Sequence, residues 1–190
     1  MSNLIELFHG SNTIIRIPDL DAGRENVDFG KGFYLSADYT TSAKWACRRT
    51  NAICNNYKLD LSSLRIYEFA LDKTWLDFVV CNREMETPTR KLAEIAQYDV
   101  LIGAIADDRL YQTLEMYVDG FISVDKAIEI MNCMDYGTQV VLKTEAAVNR
   151  LNFLGYNKIT GQEKEQFKKQ FREDNREASR RTAEFLRDMK

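Results

Sequence analysis

The sequence has 190 residues, with 26 Lys and Arg against 29 Asp and Glu, and its formal net charge is −3. The single histidine, His9, excludes sites that need two or more imidazoles, such as three-histidine metal sites and two-histidine phosphotransfer pairs, and we expect no metal. A hydrophobic content of 45% is typical of an ordinary globular protein. The slight acidity gives no general attraction to nucleic acid or anionic membrane, although it is compatible with a local basic patch.

The four cysteines have no C-x-x-C spacing, which favours a reduced state in the cytosol: Cys47, Cys54, Cys81 and Cys133. Cys47 and Cys54 are seven positions apart and are expected on one helix face. The N-terminal residues M-S-N-L-I-E-L-F do not have the pattern of a signal peptide, and no stretch reaches the ~20 apolar residues of a membrane span. We therefore expect a cytoplasmic protein that does not engage a membrane.

Apolar periodicity and turn formers predict short strands and helices in irregular order. The first half predicts a strand over 4–8, a turn over 9–12, a loop over 16–32, a strand over 33–35, a helix capped by Asp38 that runs to about residue 55, and a strand over 64–71. The second half predicts a helix from Thr87-Pro88, a buried strand over 100–106, a helix from Asp107 to about 118, a helix from Ser123 to about 134, a strand over 139–143 and a short helix over 145–151. Because strands and helices do not alternate cleanly, the predicted fold class is α+β.

The composition changes after residue 160. The run 161–190 holds nine basic and seven acidic residues, and Thr160 and Glu163 fit a capping box. Apolar residues recur every four or seven positions, which predicts a long charged helix with a narrow apolar stripe: Phe167, Phe171, Ala178 and Phe185. The stripe either packs on the body of the protein or docks a partner or a second copy. We predict a domain over 1–158 and a charged helical extension over 159–190.

The loop R-E-N-V-D-F-G-K-G-F-Y-L, over 24–35, is the strongest local signal. Glycines at 30 and 32 allow a close approach to a ligand, aromatic residues at 29, 33 and 34 offer stacking faces, and Arg24 or Lys31 could meet a phosphate. The alternative is a tight turn before a strand, with its aromatic side chains in the core. The loop is neither a dinucleotide G-x-G-x-x-G motif nor a phosphate-binding P-loop.

His9 lies at the predicted end of the first strand, beside Gly10 and Ser11. Strand ends that open into turns are common ligand-contact sites, although a lone histidine is more often structural or simply exposed. The pairing of H-G-S-N with G-K-G-F-Y-L some twenty residues later favours a site.

Five fragments, in chain order, resemble a bacterial group of the ADP-ribosyltransferase superfamily, whose members use NAD: L-F-H-G-S, D-F-G-K-G-F-Y-L, S-A-K-W-A, Y-D-V-L-I-G-A-I-A-D-D and Q-V-V-L-K-T. The resemblance covers residues 4–154. It implies a split, mainly antiparallel β-sheet with peripheral helices and an NAD cleft between the two halves of the sheet. It also implies that NAD is a co-substrate.

The resemblance implies roles for residues that match the superfamily's motifs. His9 would bind a ribose hydroxyl, the Gly10 backbone would bind the nicotinamide amide, and Tyr34 would stack on the nicotinamide ring. Arg24 and Lys31 would lie near the pyrophosphate. The full set expected to contact NAD is His9, Gly10, Ser11, Arg24, Phe29, Gly30, Lys31, Gly32 and Tyr34.

The third catalytic position departs from the superfamily's pattern, because Gln139 opens the strand where a glutamate is usual. A carboxylate there would stabilise the positive charge that develops on the ribose, as in glycoside hydrolysis, and would accept a proton from the acceptor. A neutral amide does neither at full strength. We therefore expect transfer of single units to an acceptor that is already nucleophilic, or NAD binding without catalysis.

Four other polar residues are auxiliary candidates, for the acceptor or for the missing acid: Asn82, Arg83, Asp107 and Asp108. The two aspartates follow the buried strand, where a helix cap and a first-turn acid are the simpler explanation of them. The Asn82-Arg83 pair is otherwise an exposed surface pair.

Three functions follow as hypotheses. The first is a mono-ADP-ribosyltransferase, a glycosyltransferase acting on a protein or nucleic acid; the resemblance implies a toxin or conflict effector of a toxin–antitoxin setting, with a small neutralising partner protein. The second is a catalytically inactive NAD-binding module. The third is an interaction protein that acts through its C-terminal helix.

Overall fold

A computed structural model describes residues 3–84, 86–106, 108–132 and 137–188. The strands in these residues are β1 (Leu4–Ser11), β2 (Phe33–Leu35), β3 (Ile53–Asp60), β4 (Ile66–Glu68), β5 (Val100–Ala104), β6 (Thr138–Leu142) and β7 (Leu151–Lys158). The helices are α1 (Tyr39–Ala46), α2 (Lys73–Arg83), α3 (Arg90–Ile95), α4 (Asp108–Val118), α5 (Val124–Asn132), α6 (Glu145–Val148) and α7 (Gly161–Asp188). The predicted α+β class is confirmed.

The strands form two sheets. One has the order β1-β3-β7 and is antiparallel, and the other has the order β2-β6-β5-β4, in which only β4 and β5 run parallel. The run predicted as a buried strand over 100–106 forms β5, which ends at Ala104 and pairs on both sides. A strand in the interior of a sheet satisfies its backbone on both edges, so its side chains are free to be apolar.

Two predicted helix starts are confirmed by their hydrogen bonds. The Asp38 carboxylate accepts from the backbone N–H of Thr40 and Thr41 at the start of α1. At the start of α7, Glu163 accepts from the Thr160 N–H while the Thr160 hydroxyl accepts from the Glu163 N–H. This reciprocal capping box satisfies backbone donors that a helix leaves unpaired at its first turn.

Two predictions near the N-terminus were wrong. The run at 9–12 was predicted as a turn, but β1 continues to Ser11 because residues 9–11 pair with Asn55, Cys54 and Ile53. The helix predicted to run to about residue 55 ends at Ala46, and residues 53–60 form β3 instead. Cys47 and Cys54 therefore do not share a helix face, although both are buried in one apolar cluster. Tertiary pairing overrides helix propensity here.

Other boundaries also differ from the prediction. The strand predicted over 64–71 is reduced to Ile66–Glu68, and the helix predicted over 145–151 ends at Val148 because β7 begins at Leu151. The sequence reading missed β7 and missed α2, which begins where the Asp72 carboxylate accepts from the N–H groups of Thr74 and Trp75. Cys133 and Asp107, and the side chains of Ala178 and Phe185, lie outside the described part of the chain.

Three apolar clusters hold the layers together. The first lies between the two sheets and includes Leu7, Tyr57 and Val140. The second packs α2, α4 and α5 against the other face of the four-stranded sheet. The third joins α1 to β3 and includes Phe167 of α7, so this part of the predicted apolar stripe packs on the body. None of the helices in the described ranges is long and apolar enough to cross a membrane.

Candidate functional site

The two sheets meet where β1 approaches β2, through a single bridged pair. Phe8 and Ser36 exchange two backbone hydrogen bonds, of 2.8 and 3.0 Å. If this antiparallel register continued, Gly10 would lie opposite Tyr34, but the described residues form only the one isolated bridge. The strands therefore separate beyond Phe8, and we call the opening bounded by His9, Gly10 and Tyr34 the β1–β2 gap.

His9 occupies the point of separation. Its Nδ1 lies 2.6 Å from the Tyr34 carbonyl oxygen, and its ring stacks on Phe33 with centroids 4.4 Å apart. Because a carbonyl oxygen only accepts, Nδ1 carries the proton. Burial lowers the pKa of His9, and the hydrogen bond to Tyr34 only partly opposes this effect. The ring is therefore neutral near pH 7, and its Nε2 is a hydrogen-bond acceptor.

Two neighbouring elements, α1 and β2, determine the environment of Gly10. A Cβ at this position would lie 2.0 Å from the Ser42 carbonyl oxygen, so only glycine lets β1 pass under the backbone of α1. Backbone polar groups alternate sides along a strand, and those of Phe8 point to Ser36. Gly10, two residues on, therefore directs its N–H and C=O into the β1–β2 gap.

Tyr34 joins the β1–β2 gap to the glycine-containing loop. Its carbonyl accepts from His9, while its hydroxyl donates to the Gly30 carbonyl at 2.7 Å and accepts from the Phe29 N–H at 3.0 Å. Burial raises the pKa of the phenol far above its ordinary value. The hydroxyl is thus neutral and fixes the loop, while the partly buried ring packs against the cluster of α2, α4 and α5, and only its remaining face is open to a ligand.

Asp28 is the centre of a buried polar network that the sequence reading missed. Its Oδ1 accepts from Arg83 Nε at 2.9 Å, and its Oδ2 accepts from the Ala106 N–H at 2.8 Å and from Gln139 Nε2 at 3.0 Å. The residue is 6% exposed. A buried carboxylate is tolerated only when it is paired and hydrogen-bonded, and both oxygens of Asp28 are.

Gln139 is held in one orientation by this network. Its Nε2 donates to Asp28 Oδ2 at 3.0 Å and to the Ala104 carbonyl at 2.9 Å. Both partners are acceptors, so the amide nitrogen must face them and Oε1 must point away. Within the described ranges no hydrogen bond reaches Oε1. A glutamate here would place its carboxylate against Asp28, and the glutamine is therefore matched to its neighbour.

The remaining predicted residues of the loop divide into two groups. Phe29 is fully buried among core aromatic rings, so the alternative reading of a core side chain holds for it. Gly30 has φ +66°, a backbone conformation that suits glycine, and it lies against Asn82. Arg24 and Lys31 are exposed, and Lys31 forms an ion pair of 2.7 Å with Asp21.

Two of the auxiliary candidates, Asn82 and Arg83, have structural partners. Asn82 donates to the Phe78 carbonyl at 2.7 Å, and Arg83 pairs with Asp28, so the end of α2 holds the loop rather than forming an exposed surface pair. Asp108 is the first residue of α4. Ser11 accepts from the Thr13 N–H at the end of β1, and Gly32 lies against the backbone of β6.

Lys143 is a second residue that the sequence reading missed. Its Nζ donates to the carbonyl oxygen of Phe29 at 2.6 Å and to that of Lys31. Burial lowers the pKa of this lysine to about 8. Lys143 thus holds the loop from the β6 side, with no carboxylate partner among the described residues. Its position directly after the Q-V-V-L strand was the only available signal.

The profile of a known family, described as a protein of unknown function (DUF3990), matches residues 5–153. The chain belongs to the DUF3990 family. A comparison with curated proteins finds no match. The DUF3990 region includes His9, Asp28, Tyr34, Gln139 and Lys143, whereas α7 lies beyond it.

Proposed function

We propose that this DUF3990 protein binds NAD in the β1–β2 gap and transfers its ADP-ribosyl group, one unit at a time, to an acceptor. The observation that carries the proposal is the neutral His9 ring, held through Nδ1 by the Tyr34 carbonyl where the strands separate, with Gly10 next to it in the chain. This matches the placement that the motif resemblance implies. Two mainly antiparallel sheets are also the arrangement it implies, and we propose an ADP-ribosyltransferase-type fold.

The polar groups of the β1–β2 gap fit the nicotinamide riboside half of NAD. A carboxamide has one acceptor and two donors, and the Gly10 backbone offers one donor and one acceptor to it. His9 Nε2 accepts from a ribose hydroxyl, and the Tyr34 ring provides a face for stacking. In the reaction, the bond between nicotinamide and the ribose C1′ breaks, nicotinamide leaves with the electron pair, and the acceptor's lone pair forms the new bond to C1′.

Gln139 determines how fast such a transfer can run. Its Oε1 can accept from a ribose hydroxyl, but it carries no charge to stabilise the developing cation. Asp28 cannot substitute, because it is buried and its charge is compensated by Arg83. We therefore expect slow transfer to strong nucleophiles and no chain building.

The neutral amide at position 139 also favours a second candidate function, an NAD-binding module without catalysis. The locked amide of Gln139 would hold a bound nucleotide as well as it would hold a reacting one. The toxin or conflict setting, the macromolecular acceptor and the small neutralising partner protein remain proposals that rest on the motif resemblance.

The release of nicotinamide from NAD separates the two functions. We expect slow release by the wild-type protein, measured by chromatography of NAD labelled in the nicotinamide ring, and loss of release in His9→Asn. Asn keeps a nitrogen at the position of Nδ1, so the bond to Tyr34 survives while the Nε2 acceptor is lost. Binding of NAD without any release of nicotinamide would overturn the enzyme and leave the binding module.

A further inference from the structure

A basic pocket lies on the opposite side of α1 from Gly10. It has a volume of about 500 Å³ and is formed by the end of α1, the following loop and the first half of α7. Its lining includes six cationic side chains: Lys44, Arg48, Arg49, Lys164, Lys168 and Arg172. A chain of net charge −3 has therefore concentrated nearly a quarter of its 26 basic residues around one cavity.

The acidic residues nearby do not neutralise this charge. Lys44 pairs with Asp174 at 2.7 Å and Lys168 pairs with Glu165 at 3.0 Å. Lys164, Arg49 and Arg172 form no ion pair with the described residues, so these two carboxylates do not balance the charge of the pocket. Arg49 and Arg172 are exposed and make neither an ion pair nor a side-chain hydrogen bond with the described residues. Their guanidinium groups are available to a ligand, and the fork of an Arg suits phosphate oxygens.

The pocket is also built to accept an anion. Lys164 Nζ donates to the carbonyl oxygens of Arg49 and Thr50, which would otherwise repel a negative group at the end of α1. Arg48 lies over the Trp45 ring at 3.9 Å and faces the Phe171 ring at 4.8 Å. These contacts tie α7 to α1 and fix the shape of the pocket without using Arg49 or Arg172.

The chemistry of the lining favours a nucleic acid over other anions. Phe171 lines the pocket among the cations, and Trp45, outside the lining, is 39% exposed next to Arg48. Basic grooves that carry aromatic rings are typical of proteins that bind single strands. A cavity of about 500 Å³ has the size of a nucleotide site, and it is concave, whereas a duplex presents a convex surface. An acidic peptide would satisfy the arginines but would leave the aromatic surface unused.

We propose that this pocket binds the phosphodiester backbone of a single-stranded nucleic acid, which is the acceptor for ADP-ribosyl transfer. The acceptor role rests on the proposed function, while binding in the pocket does not. Only α1 separates the pocket from Gly10, so a strand held there lies about 10 Å, one helix diameter, from the β1–β2 gap. An attacking ring nitrogen or hydroxyl of the strand forms the bond to C1′ as nicotinamide leaves with its electron pair, and the attacking atom's proton passes to water.

The binding step is tested by fluorescence anisotropy with labelled 15-nucleotide RNA and DNA single strands, at several salt concentrations and without NAD. We expect binding that weakens with salt, and a loss of about tenfold in the double variant Arg49→Gln/Arg172→Gln. Each phosphate contact on a single strand contributes about −0.7 to the slope of log K against log salt concentration. Because the double variant loses two such contacts, its slope should be shallower by about 1.4. Lys58→Gln/Arg90→Gln is the matched control, because it removes the same charge from exposed sites on β3 and α3.

Four outcomes overturn the inference: no binding of either strand at low salt, an equal loss in the control variant, equally tight binding of a polyglutamate peptide of the same charge, or retention of strand affinity by the pocket variant. AMP and inorganic phosphate are titrated in parallel, and we expect both to bind much more weakly than a strand. A separate NAD titration without nucleic acid tests the β1–β2 gap alone. Failure of this inference and failure of the proposed function therefore give different results.

Discussion

Replacement of Gln139 by Glu exchanges an amide for a carboxylate of nearly the same shape. In the wild-type protein Nε2 lies 3.0 Å from Asp28 Oδ2 and 2.9 Å from the Ala104 carbonyl oxygen. When the new side chain is ionised, both donated hydrogen bonds are lost and two buried carboxylates lie against each other. The substitution also restores the residue type that the ADP-ribosyltransferase motif has at this position, so stability and activity respond to the same change.

The stability that Gln139→Glu loses follows from the distance between the side chain at 139 and the Asp28 carboxylate. Two unit charges at 3.0 Å repel by about 5.5 kcal/mol at an effective dielectric constant of about 20. The new carboxyl avoids this repulsion by staying protonated, which at pH 7 costs about 4 kcal/mol from an ordinary pKa of about 4.3. Once protonated, the new glutamic acid can donate a hydrogen bond to Asp28. Because protonation costs less free energy at lower pH, the loss of stability shrinks to about 1 kcal/mol at pH 5. We expect Gln139→Glu to be destabilised by about 4 kcal/mol at pH 7.

Chemical denaturation at pH 5 and pH 7 measures this difference. Gln139→Met is the neutral control and should lose about 1–3 kcal/mol at both pH values, because Asp28 keeps its other partners. Equal stability of Gln139→Glu and wild type at pH 7 would show that residue 139 does not contact Asp28.

Two further predictions concern Gly10 and Lys143, which support the site. Gly10→Ala should lose about 3 kcal/mol in urea denaturation, because its Cβ meets the α1 backbone, whereas Gly161→Ala has no atom within 4 Å and should not be destabilised. Lys143 has a folded-state pKa of about 8 against an ordinary 10.5, so the unfolded chain binds more protons between these values. Wild-type stability should therefore rise by up to about 3 kcal/mol relative to Lys143→Met between pH 8 and 10.5, and parallel pH curves would contradict this burial.

The elements that could be predicted are those with local signals. The cap at Asp38, the capping box at Thr160 and the strand over 33–35 each depend on neighbouring residues, and the structure has all three. β7 was missed because its pattern is broken by Gly155 at a register shift, where β3 and β7 pair irregularly. The helix from Asp38 was predicted too long because residues 53–60 become a strand only by pairing with β1 and β7.

In the site, too, residues with local sequence signals could be predicted and residues that depend on distant contacts could not. His9, Gly10 and Tyr34 could be found because short motifs contain them, and the structure brings them together at the β1–β2 gap. Asp28 could not be found, because its partners Arg83 and Gln139 are 55 and 111 positions away along the chain. The match between a glutamine and a distant aspartate becomes visible only when the fold places them 3.0 Å apart.

The most direct test of the central claim is an isothermal titration of NAD into the wild-type protein and into His9→Asn. We predict binding with a dissociation constant between about 1 μM and 1 mM, the usual range for enzyme substrates. The loss of one acceptor should weaken NAD binding by His9→Asn about tenfold, while the bond to Tyr34 keeps the fold intact, which circular dichroism checks. No binding of NAD by the folded wild-type protein, or equal affinity in His9→Asn, would contradict the claim that the β1–β2 gap is an NAD site.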